Sequence, residues 1–330
     1  MKIKFLFIFI LLLIFCARNN KKEVEDNNKR LENLKEKSLI KVFDNESKRS
    51  DFQIDIFTTD DGLLENNINF LDIKEEKLWI CYDDGVGYID LRNGRILNFF
   101  YKTNSGFNSF IIRNNELFIL SKNGLIKFDI VNKNFTIAIS NKNFLKYPLN
   151  YKDSILLSSK NEIFLFEKSK IVKSTNIGEE IIELKDCEGD FYILSRNSLY
   201  KFEVEKFLIE RVIDISSFSN IEDFCLDKDE NIYLGSRRLI LASRGGFKNL
   251  LEFEKCFINF LLYSKRDDGI VIGTSSGAGI YDIESGNYFY ILSEYKVKEA
   301  FINYILEDGD RLWIATKGWG VIKFNKIEGY

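Results

Sequence analysis

The 330-residue chain contains no histidine. That absence removes Ser-His-Asp and Cys-His nucleophilic arrangements, histidine-ligated metal centres and imidazole acid–base chemistry. The remaining reactive side chains are carboxylates, thiols and cations. Asp227-Lys228-Asp229-Glu230-Asn231 spaces its acids as a calcium loop does, but Ile232 stands where that loop needs glycine and no glutamate closes the set. Its place between two apolar runs makes it a turn. Cys81, Cys187, Cys225 and Cys256 form no C-x-x-C pair, so neither a four-thiolate zinc site nor a disulfide framework is expected. Cys81 and Cys225 fall inside apolar runs and read as buried thiols. Arg237, Arg238 and Arg244 form the densest basic group after the N-terminal segment and read as a solvated turn. With 47 basic and 50 acidic residues the net charge is −3, which argues against a nucleic-acid partner. No cofactor-binding motif stands out. Trp319 is different: a large aromatic in Lys317-Gly318-Trp319-Gly320 is expected to face solvent, where it can contact a partner.

The N-terminus reads as an address. Lys2 and Lys4 precede an unbroken apolar run over residues 5–15, the anatomy of a secretory signal peptide at 1–15. The run is shorter than the about 20 residues a spanning helix needs. Leu13-Ile14-Phe15-Cys16 resembles a bacterial lipobox, with Phe15 where that pattern has a small residue. The resemblance implies a lipidated Cys16 at the mature N-terminus; an uncleaved signal anchor or a secreted form would export the chain equally. Residues 16–50 form a charged tether, in which Phe43 is the only aromatic after Cys16. Such a stretch buries too little apolar surface to offset the cost of ordering. As a flexible chain it spans about 30 Å, enough to hold a domain clear of lipid headgroups.

From residue 51 onward the chain repeats. Short apolar strands centred on residues 79, 118, 156, 192, 233, 271 and 313 recur on average every 39 residues. Each is preceded by one strand and followed by another, the signature of propeller blades. No unit sustains a 3.6-residue period, which excludes a helical solenoid. Seven repeats predict an all-β, seven-bladed β-propeller over 51–330. The last repeat supplies only three strands, so the unpaired segment 52–58 is expected to complete the last blade and close the ring. Pro148 aligns with the innermost strand of repeat three, where its missing N–H can face the channel.

Gly62-Leu63, Asn67-Ile68, Ile73, Leu78-Trp79-Ile80, Asp84-Gly85 and Ile89-Asp90 resemble the two-component regulator propeller repeat. Repeat seven matches through Asn303, Asp308, Leu312-Trp313-Ile314, Thr316, Gly318 and Gly320, whereas repeats two to four keep only the apolar pattern. The resemblance implies the propeller fold, with Trp79 and Trp313 packed between blades; in that family the repeats sit in sensor domains. With its tether, the architecture is also broadly similar to the propeller lipoprotein of the outer-membrane β-barrel assembly machinery.

Ring closure makes blades 1 and 7 neighbours. The loop entering blade 1 and the turns between second and third strands open on one face. A candidate partner-binding surface therefore combines Asp60, Asp61, Leu63, Leu64, Glu65, Asn66, Asp83 and Asp84 with Trp319, an apolar centre in an acidic rim. The expected function is a non-enzymatic, monomeric, lipid-anchored scaffold for envelope proteins, periplasmic or outer-membrane associated. The alternatives are an extracytoplasmic small-ligand sensor working with a separate signalling protein, and a polysaccharide-acting enzyme with acidic pairs at the channel mouth.

Overall fold

The computed structural model describes residues 52–102, 104–243, 246–292 and 299–326. The signal segment 1–15, the tether 16–50 with Cys16, and Arg244 lie outside the described residues. Among the described residues no helix is long and apolar enough to cross a membrane.

Seven four-stranded antiparallel sheets follow one another along the chain. Their innermost strands are Ile68–Lys74, Phe107–Arg113, Leu149–Tyr151, Ile181–Cys187, Asp223–Leu226, Ile258–Ser264 and Phe301–Asp308, one for each of blades 1 to 7. They stand side by side around a central channel. The apolar runs seen in the sequence are the second strands of the blades, buried on both faces: Lys77–Tyr82 exposes only part of Lys77, and Arg311–Lys317 only its two ends. That double burial explains why they read as continuous apolar runs rather than alternating ones. Trp79 and Trp313 retain 2% and 1% of their exposure, each within an apolar cluster that joins two blades.

The ring closes through the N-terminal strand. Phe52–Phe57 pairs antiparallel with Val321–Lys326, setting Ile54 opposite Phe324 and Phe57 opposite Val321. It becomes the outermost strand of blade 7, so the edge between first and last repeats disappears. Gly320 permits the approach. Its φ is +74°, and a Cβ there would stand 2.0 Å from the Phe57 carbonyl oxygen.

Pro148 corrects the alignment. It precedes the innermost strand of blade 3 instead of lying within it, and that strand is only three residues long. The missing N–H delays the start of the ladder.

Candidate functional site

In five blades a register shift interrupts the innermost strand just before one position: Phe70, Ser109, Glu183, Phe260 and Tyr304. Asp223 holds the same register in blade 5. Tyr147, two residues before the short strand of blade 3, completes the set. Four of these side chains form an aromatic plug: Phe70 lies 4.3 Å from Tyr304 and 5.5 Å from Tyr147, and Phe260 lies 4.9 Å from Tyr304, centroid to centroid. The Tyr147 hydroxyl donates to the Asn303 carbonyl at 3.4 Å, from blade 3 to blade 7.

The residue displaced by the shift is asparagine in blades 1, 2, 6 and 7, and in blades 1, 6 and 7 it reaches the next blade. Asn69 Nδ2 donates to the Phe107 carbonyl at 2.6 Å, Asn259 Nδ2 to Ile302 at 2.6 Å, and Asn303 Nδ2 to Ile68 at 2.7 Å. The counterpart of Asn303 in blade 1 is thus Asn69 and not Asn67, which instead bridges to Lys317.

Blades 4 and 5 use charge in place of asparagine. Lys185 Nζ lies 2.5 Å from Asp223 Oδ1 and donates to the carbonyls of Phe224 at 2.8 Å and Leu261 at 3.0 Å, so all three N–H groups have an acceptor. Asp223, fully buried, also accepts from the backbone N–H groups of Phe224 and Leu261. Glu183 stands 3.8 Å from Lys185, yet neither of its buried carboxylate oxygens accepts a hydrogen bond. Burial, reinforced by the Asp223 charge, pushes the Glu183 carboxyl up to about 8. Burial alone would lower Lys185, but Asp223 and Glu183 outweigh it and raise its pKa.

Beneath the plug a funnel of about 730 Å³ opens on the face formed by the turns between first and second strands. Phe70, Tyr147, Phe260, Tyr304 and Lys185 line its floor, Tyr192 and Tyr263 its wall, and Asp186, Asp190 and Glu230 its mouth. Burial raises the Cys187 thiol on its wall to about 12, so it is no ready nucleophile.

The sequence-derived surface lies on the opposite face, and its members divide into groups. Asn66 makes the seam: its carbonyl accepts from Gly318 N at 3.0 Å and Gly320 N at 2.9 Å, which locks the Trp319 turn onto the loop entering blade 1. Leu63 is 4% exposed and packs with Ile68, Ile80, Trp313 and Val321, so its assignment to an exposed apolar centre is corrected. It follows the left-handed Gly62, which turns the chain back into the core. Asp61 is spent on a capping box with Thr58, and Asp84 accepts from Ser105 N at 2.9 Å. Asp83 accepts from Asn69 Nδ2 at 2.9 Å. Glu65 is raised by burial and by Asp83, while the backbone N–H groups of Asp84 and Asp83 oppose the rise. One bonded path therefore runs from the Trp319 turn through Asn66 and Glu65 to the Asp83-Asp84 turn. Asp60, half-buried Leu64, Glu65, Asp83 and Trp319, which is 36% exposed, remain available on this surface.

The other candidates resolve simply. Asp227 accepts from the N–H groups of Asp229 and Asn231 and from Tyr233, the hydrogen bonding of a turn. Arg238 is paired with Glu252 at 2.9 Å. The four described cysteines are free thiols. Two features escaped the sequence reading: the recurrent asparagine and the ionic cluster. Ile68-Asn69-Phe70, Ile258-Asn259-Phe260 and Ile302-Asn303-Tyr304 carried the signal for the first. Charges interrupting the apolar pattern at 183, 185 and 223 carried it for the second.

These observations define a seven-bladed β-propeller with a plugged channel and an open funnel. No family model and no curated protein matches the sequence. Solved structures match the fold. The extracellular domains of the hybrid two-component system BT3049 and of the one-component system BT4673, both from B. thetaiotaomicron, align at 17% and 16% identity with TM-scores of 0.65 and 0.67. Each covers 83% of this chain, which spans only 42% and 40% of theirs. A catalytically inactive histidine-to-alanine variant of virginiamycin B lyase from Staphylococcus aureus, solved with quinupristin, aligns at 12% identity and TM-score 0.67, covering 84% of this chain and 100% of its own. YCF48 bound to D1 peptide aligns at 12% identity and TM-score 0.64, covering 84% and 97%. At these identities the likeness is one of fold.

Proposed function

We propose that the chain is an exported, lipid-anchored, non-enzymatic propeller that docks other envelope proteins through the surface at the closure seam. The observation that carries this reading is the bonded path that holds Trp319 beside the acidic loop of blade 1. A partner of matching chemistry presents lysine or arginine to Glu65, Asp83 and Asp60, and an apolar side chain to Trp319 and Leu64. Support comes also from the N-terminal segment that reads as an export signal ending at Cys16, and from two kinds of fold neighbour: extracellular domains of two-component and one-component systems, and a propeller bound to a peptide. The lyase neighbour loses activity when a histidine is replaced, and this chain has none.

The test is co-purification from membranes in mild detergent. The wild-type chain should recover stoichiometric partners. The double variant Trp319→Ala, Leu64→Asp should lose them while keeping its circular dichroism spectrum. Undiminished recovery would move the interface elsewhere on the propeller. Cys16→Ser should abolish incorporation of labelled palmitate and leave an unprocessed precursor; normal processing would remove the anchor from the proposal.

A further inference from the structure

We propose that the funnel is a binding site for a small organic cation, an amine or quaternary ammonium seated on the aromatic floor and drawn in by the carboxylates of the mouth. The site is independent of the docking surface, which lies on the opposite face. Its volume of about 730 Å³ is in the range of small-molecule pockets. The floor presents the π-systems of Phe70, Tyr147 and Tyr304, whose rings carry negative charge on their faces; the Phe260 ring already has Lys185 Nζ 5.1 Å from its centroid.

The sign of the ligand's charge is set by the bonds the lining lysines already make. Lys185 is consumed by Asp223 and two carbonyls, Lys228 pairs with Asp268 at 2.5 Å, and Lys265 pairs with Glu188 at 2.8 Å. An anion entering the funnel would have to break one of these pairs. Asp186 and Glu230 line the same mouth, and neither makes an ion pair among the described residues. Close to the floor, Glu183 adds a buried carboxyl group beside Asp223. Asp223, Lys185, Lys146, Tyr147 and Tyr304 face it electrostatically; while Glu183 is protonated Lys185 balances Asp223, and ionising Glu183 adds a negative charge beside the floor. A cation on the floor offsets that added charge.

That charge has a consequence for protons. Glu183 is held protonated up to about pH 8. A bound cation favours its ionised form, so binding should release a proton to solvent and tighten as pH rises from about 6 to 9. A permanently charged probe does not titrate itself, which assigns any pH dependence to the protein.

Calorimetric titration of the full chain in detergent decides the matter, with benzyltrimethylammonium as cation, benzyl alcohol as neutral control and benzoate as anion. Saturable binding of the cation is expected, with the neutral probe weaker by about tenfold, the order of a cation–π contribution. Benzoate should not bind. Glu230→Lys, an exposed change that leaves the fold alone, should weaken the cation several-fold. Glu183→Gln should retain binding but lose proton release, measured as heat that depends on the buffer's ionisation enthalpy. Equal affinity for the neutral probe, binding of benzoate, or no saturable cation binding at millimolar concentration would each overturn the proposal.

Discussion

Blades 6, 7 and 1 each tie their innermost strand to the next blade with a neutral asparagine, whereas blades 4 and 5 are tied with a lysine and a buried carboxylate. Both devices satisfy backbone groups that a propeller channel would otherwise leave unpaired. They differ in how the fold responds to losing a part. An asparagine latch is one hydrogen bond with a modest net value. The ionic latch is a set of charges out of water, tolerable only while complete. The charged arc is also the side on which the funnel opens. The repeat is most regular where it only closes the ring and departs from its pattern where polar groups meet a cavity, as expected when local rules yield at a binding site.

The largest expected effect comes from breaking the charged arc. Lys185→Ala leaves Asp223 buried without its counter-charge and should cost about 3–5 kcal/mol in urea denaturation. A loss below about 1 kcal/mol would mean that the cluster is solvated and the contrast between the arcs false. Asn303→Ala removes one latch at the closure seam and leaves the Ile68 carbonyl without that donor, for an expected loss of about 1–3 kcal/mol. If it proves as costly as Lys185→Ala, the two devices are energetically equivalent.

The smallest effect is in pH dependence. The Glu183 carboxyl rises from its ordinary 4.5 to about 8 in the folded chain. Between these values the folded state keeps a proton that the unfolded chain has released. Stability is therefore greatest below the lower value and declines as pH rises through the upper one. Glu183→Gln should flatten this decline in the denaturation midpoint between about pH 5 and 9, whereas Asn303→Ala should leave its slope unchanged. Equal slopes in wild type and Glu183→Gln would show that Glu183 is already ionised in the fold.

Much of the architecture was legible because a propeller is built by repetition. The second strands are buried on both faces, so Leu78-Trp79-Ile80 and Leu312-Trp313-Ile314 had to be apolar throughout, and their spacing counted the blades. The unpaired segment at residue 52 and the three-stranded last repeat together implied the closing strand. The seam surface was legible in its location but not in its composition. Adjacent Leu63 and Leu64 look alike in sequence, yet Gly62 turns one into the core and leaves the other half-buried.

Sequence by itself determined the number of blades, the closure and the exclusion of imidazole chemistry, because each depends on residue type or on spacing along one chain. The tertiary structure alone decided how Glu183, Lys185, Asp223 and Tyr304 relate. Tyr304 is more than a hundred residues distant from Glu183 in the chain, and the four meet only because ring closure brings blades 4 to 7 around one channel. Whether a lysine there is free or consumed depends on acceptors from blades 5 and 6, the Phe224 and Leu261 carbonyls. Backbone carbonyls are present at every residue, so no sequence pattern marks which two will hold it.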